Sequence, residues 1–148
     1  MKVYVSCDHA AIDLKNELCA HINEKWGEAV DLGINHGEKI DYPVAAKRVG
    51  DAVLSDEGSV GLLICGTGIG MSMAANKVKG IRAAAVSEPY SARLTRQHNN
   101  ANVLCMGARV VGSELAKMIL DEYLGAEFEG GRHANRVDLI TKIENGEL

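Results

Sequence analysis

Three short stretches concentrate the residue types that move protons and bind anions. Cys65-Gly66-Thr67-Gly68-Ile69-Gly70 places a thiol at the start of a run with glycine at alternate positions. Alternating glycines let the backbone turn tightly and aim consecutive N–H groups at one negative oxygen, of a phosphate or of an enolate. A cysteine where a strand meets such a loop is in a setting that favours the thiolate, which acts as base or nucleophile. The competing reading is a buried, inert strand-end cysteine. Cys7-Asp8-His9 sits in a comparable position, at the end of the first apolar run. His9 would help hold an anion at free helix N–H groups while Asp8 orients or shuttles a proton, or Asp8 is simply an N-cap. Arg96-Gln97-His98-Asn99 carries a histidine that can exchange protons near neutral pH, or merely face solvent at a helix end. Arg109 stands alone, whereas Arg132 and Arg136 are four apart and share one helical face. Two guanidinium groups so placed fit a phosphate dianion, or form a solvated patch.

Several chemistries are excluded or weakened by spacing. A dinucleotide loop has its third glycine one place later, normally after the first strand, and a phosphate loop of the Gly-Lys-Ser/Thr type is absent. Glu88, about 20 residues on, imitates a ribose-binding acid and keeps a nucleotide reading open. Cysteines 7, 19, 65 and 105 have no CxxC pairing, the histidines lack close ligand spacing, and no metal is expected. No order of serine, histidine and aspartate supports a hydrolytic triad. His21 and His36 lie away from the expected strand ends and read as surface residues.

The elements that would position these groups alternate along the chain. Lys2 to Cys7 is a β-like run, followed by Ala11, Leu14, Leu18, Ile22 and Trp26 at helical spacing. Ala29 to Leu32 is a second strand, and Ala45, Val49, Ala52 and Val53 mark the next helix. Val60 to Cys65 is nearly continuous apolar, as for a central parallel strand covered on both faces. Ile81 to Val86 and Val103 to Met106 complete five strands, with Pro89 beginning the helix between them. Ser113 caps a helix that stops at Gly125, and Val137, Ile140 and Ile143 share one face of a C-terminal helix. The pattern predicts an α/β fold: a Rossmann-like three-layer sandwich with a five-stranded parallel sheet and an extra C-terminal helix. Ligands of such sheets bind beyond the carboxyl ends of the strands, where Cys65 and Asp8 fall.

Composition sets the wider limits. The 148 residues suit one domain over 1–148, long enough to bury a core without a disulfide or metal staple. Sixteen basic against twenty acidic side chains leave a net charge of −4, which offers no general field for nucleic acid or anionic lipid. Six aromatic residues are too few for a base-stacking platform. No apolar run approaches a membrane span and no signal peptide is evident, so the expectation is a cytoplasmic protein with reduced thiols.

Taken together, eight segments in order resemble the type B ribose-5-phosphate isomerases, a family shared with the galactose-6-phosphate isomerase subunits. They are Cys7-Asp8-His9, Asp41-Tyr42-Pro43, Ile64 to Gly70, Ala74 to Lys77, Ser87 to Ala92, Arg96 to Asn99, Gly107 to Gly112 and Glu129 to His133. The resemblance implies cofactor-free interconversion of an aldose phosphate and its ketose through a cis-enediolate. It implies that Cys65 moves the proton between C2 and C1, with Thr67 assisting at the sugar oxygens and the N–H groups from Gly66 through Gly68 and Ile69 to Gly70 holding the enediolate. It further implies that His98, supported by Asp8, opens the furanose ring, that His9, Arg109, Arg132 and Arg136 hold the phosphate, and that Tyr42 and Asn99 line the sugar pocket. A glutamate-using branch of the family has its base where this chain has Met71, so the burden falls on Cys65. A homodimer or tetramer with a shared site is implied, His98, Asn99 and Arg109 coming from the neighbour. A hexose 6-phosphate such as allose or galactose 6-phosphate is the alternative substrate. A non-catalytic nucleotide- or phosphosugar-binding module would not need Cys65, Asp8 and His98 together.

Overall fold

The computed structural model describes residues 1–148. Eleven elements alternate: β1 (Lys2–Cys7), α1 (Ile12–Lys25), β2 (Glu28–Asp31), α2 (Tyr42–Leu54), β3 (Val60–Cys65), α3 (Ile69–Ala75), β4 (Ala83–Ala85), α4 (Pro89–Asn99), β5 (Val103–Gly107), α5 (Ser113–Leu124) and α6 (Arg132–Glu144). The strands form one sheet in the order β2-β1-β3-β5-β4, and every pairing is parallel. This is the predicted α/β sandwich with its added C-terminal helix.

Alternation along each strand divides the core in two, because successive side chains point to opposite faces. Val3, Val5, Leu62, Ile64, Leu104 and Met106 join α1 and α5 residues on one face. Leu63, Cys65, Val103 and Cys105 pack with Ala45, Val49, Met71 and Ala75 of α2 and α3 on the other. The Cys65 side chain therefore lies in the smaller of the two clusters. The chain passes from β1 to β2 on one side, then crosses through α2 to β3 on the other side of β1. That reversal opens a crevice beyond the carboxyl ends of β1 and β3.

Several details differ from the sequence reading. The fourth strand shrinks to three residues at the sheet edge; the Asn76 side chain donates to Ala83 O at 2.9 Å and accepts from Ala83 N at 2.8 Å, closing its outer backbone groups. Gly112, not Ser113, is the N-cap of α5, and no side chain caps that helix. α1 starts only at Ile12, so Asp8 is not its cap; Asp8 Oδ1 instead accepts from Ala10 N at 2.9 Å in a local turn. On α6 Val137 is buried, while Ile140 and Ile143 stay exposed.

Two charged groups tie layers together. Lys15 is fully buried, donating to Ile34 O at 3.0 Å with its Nζ 2.8 Å from Asp31 Oδ2. His21 is no free surface residue: its Nε2 lies 2.7 Å from Asp121 Oδ1, which also accepts from Trp26 Nε1 at 2.7 Å, while Lys25 reaches Oδ2 at 2.9 Å. Burial, the largest single influence on Asp121, favours its neutral form, but hydrogen bonds from Trp26, Lys25 and His21 together hold its carboxyl below the usual value. His36 is a surface group, 2.8 Å from the exposed Asp13.

Candidate active site

The glycine loop leaves β3 and folds over the end of β5. β3 and β5 pair with Cys65 opposite Gly107, and the loop is held there by Ala108 N donating to Cys65 O at 2.8 Å and Arg109 N to Gly66 O at 3.0 Å. Two glycines make this approach feasible. Gly68 has φ +81°, and a methyl group on it would fall 2.8 Å from the Met106 carbonyl carbon; one on Gly107 would fall 2.6 Å from the Thr67 backbone.

Cys65 is 5% exposed, and its Sγ accepts the Gly68 N–H at 3.1 Å. A main-chain donor aimed at sulfur stabilises thiolate over thiol. At the other three cysteines burial is the largest influence. Burial pushes the thiols of Cys7 and Cys19 up to about 11, and that of Cys105 higher still. All four are free. The Ile69 N–H is directed to Thr67 Oγ1 at 3.2 Å. The N–H groups of Gly66, Thr67 and Gly70 donate to no protein acceptor. Of the cradle expected from Gly66 to Gly70, these three donors are thus the ones available to an anion, while those of Gly68 and Ile69 shape the loop.

Around the loop stand Asp8, His9, Tyr42 and Arg109. Asp8 is brought beside β3 by its N–H donating to Ile64 O at 3.2 Å. His9 is exposed at a cavity of about 310 Å³ between the β1 and β5 loops. The Tyr42 ring, on the first residue of α2, covers Gly70: a methyl there would lie 2.9 Å from Cε2. Arg109 lies against Gly66 of its own chain, Nη1 being 3.5 Å from where a Gly66 methyl would stand.

His98 and Asn99 are elsewhere. α4 starts beyond β4 and runs back, so its last turn sits at the amino ends of the strands, where Arg82 Nε donates to Asn99 O at 3.2 Å and Asn100 O at 3.0 Å. Five strand residues, about 17 Å, separate this end from the glycine loop. α6 begins beside it: Glu129 N donates to Gln97 O at 3.0 Å, and the His98 and His133 rings stack with centroids 4.1 Å apart and planes 8° from parallel. Arg132 and Arg136 start α6 beside His133, whose neutral form is favoured first by burial and then by His98 and these two arginines. Within one chain, then, these basic groups fall at two places. Arg109, just past the end of β5, lies at Gly66 of the glycine loop, and Arg132 and Arg136 start α6 at the end of the sheet where His98 sits.

Glu129, absent from the residues singled out by sequence as catalytic or binding, places Oε1 3.3 Å from His98 Nε2 and 3.7 Å from His133 Nε2. These three side chains are the group whose potential ligand atoms come within 4.8 Å of one another. Parallel stacked imidazoles direct their lone pairs in parallel planes, so they do not converge on one ion as metal ligands must. Glu88 is committed to α4, both carboxylate oxygens accepting from Ser91 N at 3.0 Å; the Ser91 hydroxyl and N–H hold its carboxyl below the usual range. It is a helix cap, which removes the acid from the nucleotide reading.

A sulfur base beside three open main-chain donors is suited to taking a proton from carbon next to a carbonyl while the oxyanion is stabilised. An α/β sheet with this loop at its switch point defines a class of small enzymes acting on anionic carbonyl compounds. The chain belongs to the Ribose/Galactose Isomerase family, whose model it matches over residues 3–140. It is 55% identical over 143 residues to ribose-5-phosphate isomerase B of Escherichia coli strain K12, covering 97% of this chain and 96% of that protein. Its fold is similar to that of Clostridium thermocellum ribose-5-phosphate isomerase B, with TM-score 0.95, 47% identity and full coverage of both chains. The Mycoplasma genitalium ribose-5-phosphate isomerase B, solved with bound ribulose-5-phosphate, superposes with TM-score 0.93 at 44% identity, covering 97% of this chain and 96% of that one.

Proposed function

We propose that this protein interconverts ribose 5-phosphate and ribulose 5-phosphate, with Cys65 transferring the proton between C2 and C1. The observation that carries the reading is the Gly68 N–H on Cys65 Sγ, next to the open donors of Gly66, Thr67 and Gly70. The thiolate takes the C2 proton of the open-chain aldose, the electron pair forms the C1–C2 double bond, and the former carbonyl oxygen becomes an oxyanion in the loop. Thr67 assists proton movement between the two sugar oxygens. Return of the proton to C1 gives the ketose.

Ring opening needs a proton on the furanose oxygen, and His98 is the group we assign to it, with Asp8 as its counterpart. These two lie at opposite ends of the sheet, as do His9 and the Arg132–Arg136 pair assigned to the phosphate. The whole 1–148 chain is accordingly read as one isomerase domain acting in a homodimer or a larger even assembly. One copy supplies Cys65, Asp8, His9, Tyr42 and Arg109, and its neighbour supplies His98, Asn99, Arg132 and Arg136. Remote phosphate binding fixes C1 and C2 against the base, which is how binding energy lowers the barrier. No helix is long and apolar enough to cross a membrane; four free thiols and a phosphorylated substrate fit a reducing cytoplasm.

The test is a coupled assay of purified, chelator-treated protein on ribose 5-phosphate, ribulose 5-phosphate, allose 6-phosphate and galactose 6-phosphate. The reading predicts the highest kcat/KM for the pentose pair and no loss on chelation. A hexose preferred tenfold or more would replace the substrate, and chelator sensitivity would replace the mechanism.

A further inference from the structure

The cluster at the start of α6 is more elaborate than ring opening by a single histidine requires. His98 is about one-third exposed, His133 is buried beneath it, and Glu129 lies against both Nε2 atoms. At 3.3 and 3.7 Å these contacts are too long to lock either ring in a hydrogen bond, so the carboxylate acts on the rings through its charge. We propose that Glu129 and His133 are positioning residues for His98: the stacked ring fixes its plane, and the carboxylate keeps the transferable proton on His98 while leaving its N–H directed at the sugar. This inference rests on the isomerase reading above.

The charges around the pair divide the two rings into unlike roles. His133 is disfavoured as a cation first by burial, then by His98, Arg132 and Arg136, with Glu129 alone opposing. Parallel rings at this spacing tolerate one cation over one neutral ring far better than two cations. Of the two rings His98 is the more exposed, and it is the one substrate can reach. In the step, the C1–O4 bond breaks with its electron pair going to O4, His98 gives O4 its proton, and the O1 hydroxyl proton passes to Asp8 of the facing copy as the C1 carbonyl forms. His98 is left neutral and is reprotonated from solvent.

Ribulose 5-phosphate has no ring to open, which separates this device from the chemistry at Cys65. In Glu129→Gln, kcat/KM for ribose 5-phosphate at pH 8 should fall about tenfold, a part of the roughly 10²- to 10⁴-fold that a general acid supplies. The alkaline limb of its pH profile and the NMR titration of His98 should both move to lower pH. Solvent deuterium entry at C1 of ribulose 5-phosphate should stay within about twofold of wild type. His133→Phe, which keeps a stacking ring but no titratable nitrogen, should retain more ribose 5-phosphate activity than His133→Ala. An unmoved His98 titration in Glu129→Gln overturns the proposal whatever the activity, and so does an equal fall in deuterium exchange and ribose 5-phosphate turnover. Failure of the wild-type protein to exchange deuterium at C1 would instead overturn the isomerase reading, leaving the NMR titration to judge Glu129 alone.

Discussion

The Gly68 N–H meets Cys65 Sγ at 3.1 Å, while burial pushes the thiols of Cys7 and Cys19 up to about 11 and that of Cys105 beyond them. Thiolate, not thiol, is the alkylated species. At pH 8 iodoacetamide should modify Cys65 first, activity should fall in step with that modification, and ribulose 5-phosphate should protect. Peptide mapping that finds Cys19 modified first, with activity intact, would contradict this ordering.

Gly107 is where the loop rests on β5, and a methyl group there would stand 2.6 Å from the Thr67 backbone. Gly107→Ala should lower folding stability by about 1–3 kcal/mol, as overpacking of a tight site does, and reduce kcat more than it raises KM because the donors of Gly66, Thr67 and Gly70 shift. Chemical denaturation and steady-state kinetics on the same sample check both parts. Unchanged kcat would mean that the loop's donors take no part.

The placement of His98 and Cys65 at opposite ends of one sheet predicts complementation. Cys65→Ala and His98→Asn proteins, each inactive alone, should regain activity when unfolded and refolded together. Random pairing makes about half the dimers mixed, each with one intact site of two, so about a quarter of wild-type activity is expected. Recovery of none would place both residues in the site of a single chain.

Asp121 gathers Trp26, Lys25 and His21 onto α5. Because its folded value lies below the ordinary 3.8, its contribution is fully present above that value and is lost as pH falls through the folded one. Asp121→Asn should cost about 1.5–3 kcal/mol at pH 7, the scale of lost hydrogen bonds to a charged acceptor. The difference from wild type should close as the pH drops below the ordinary value. A gap that persists undiminished in acid would assign the effect to packing.

Periodicity and runs of apolar residues carry the reading of the sheet: Val60 to Cys65 is buried at every position, as a central strand must be. Cys65, its glycines and Asp8 are legible for the same reason, since chemistry at a switch point follows directly from where strands stop. What local pattern does not encode is which distant groups meet. The stacking of His98 on His133 depends on α6 docking against the end of α4, across 35 positions of chain. Arg109's position against Gly66 depends on how β5 registers on β3 rather than on any local spacing. Lys15 carries no local sign that it will be buried, which Asp31 and the Ile34 carbonyl make possible from β2 and the loop beyond. Asn76 likewise gives no local sign that its amide will close the edge of β4.

The most direct test follows hydrogen at C1 of ribulose 5-phosphate in deuterium oxide, with wild type and Cys65→Ala compared at saturating ketose. Wild type should incorporate deuterium at C1 and form ribose 5-phosphate. Cys65→Ala should bind the ketose with a Kd within about threefold while exchange falls by roughly 10³-fold or more, the scale of a lost general base. Exchange at a near wild-type rate in Cys65→Ala would remove the sulfur from the reaction.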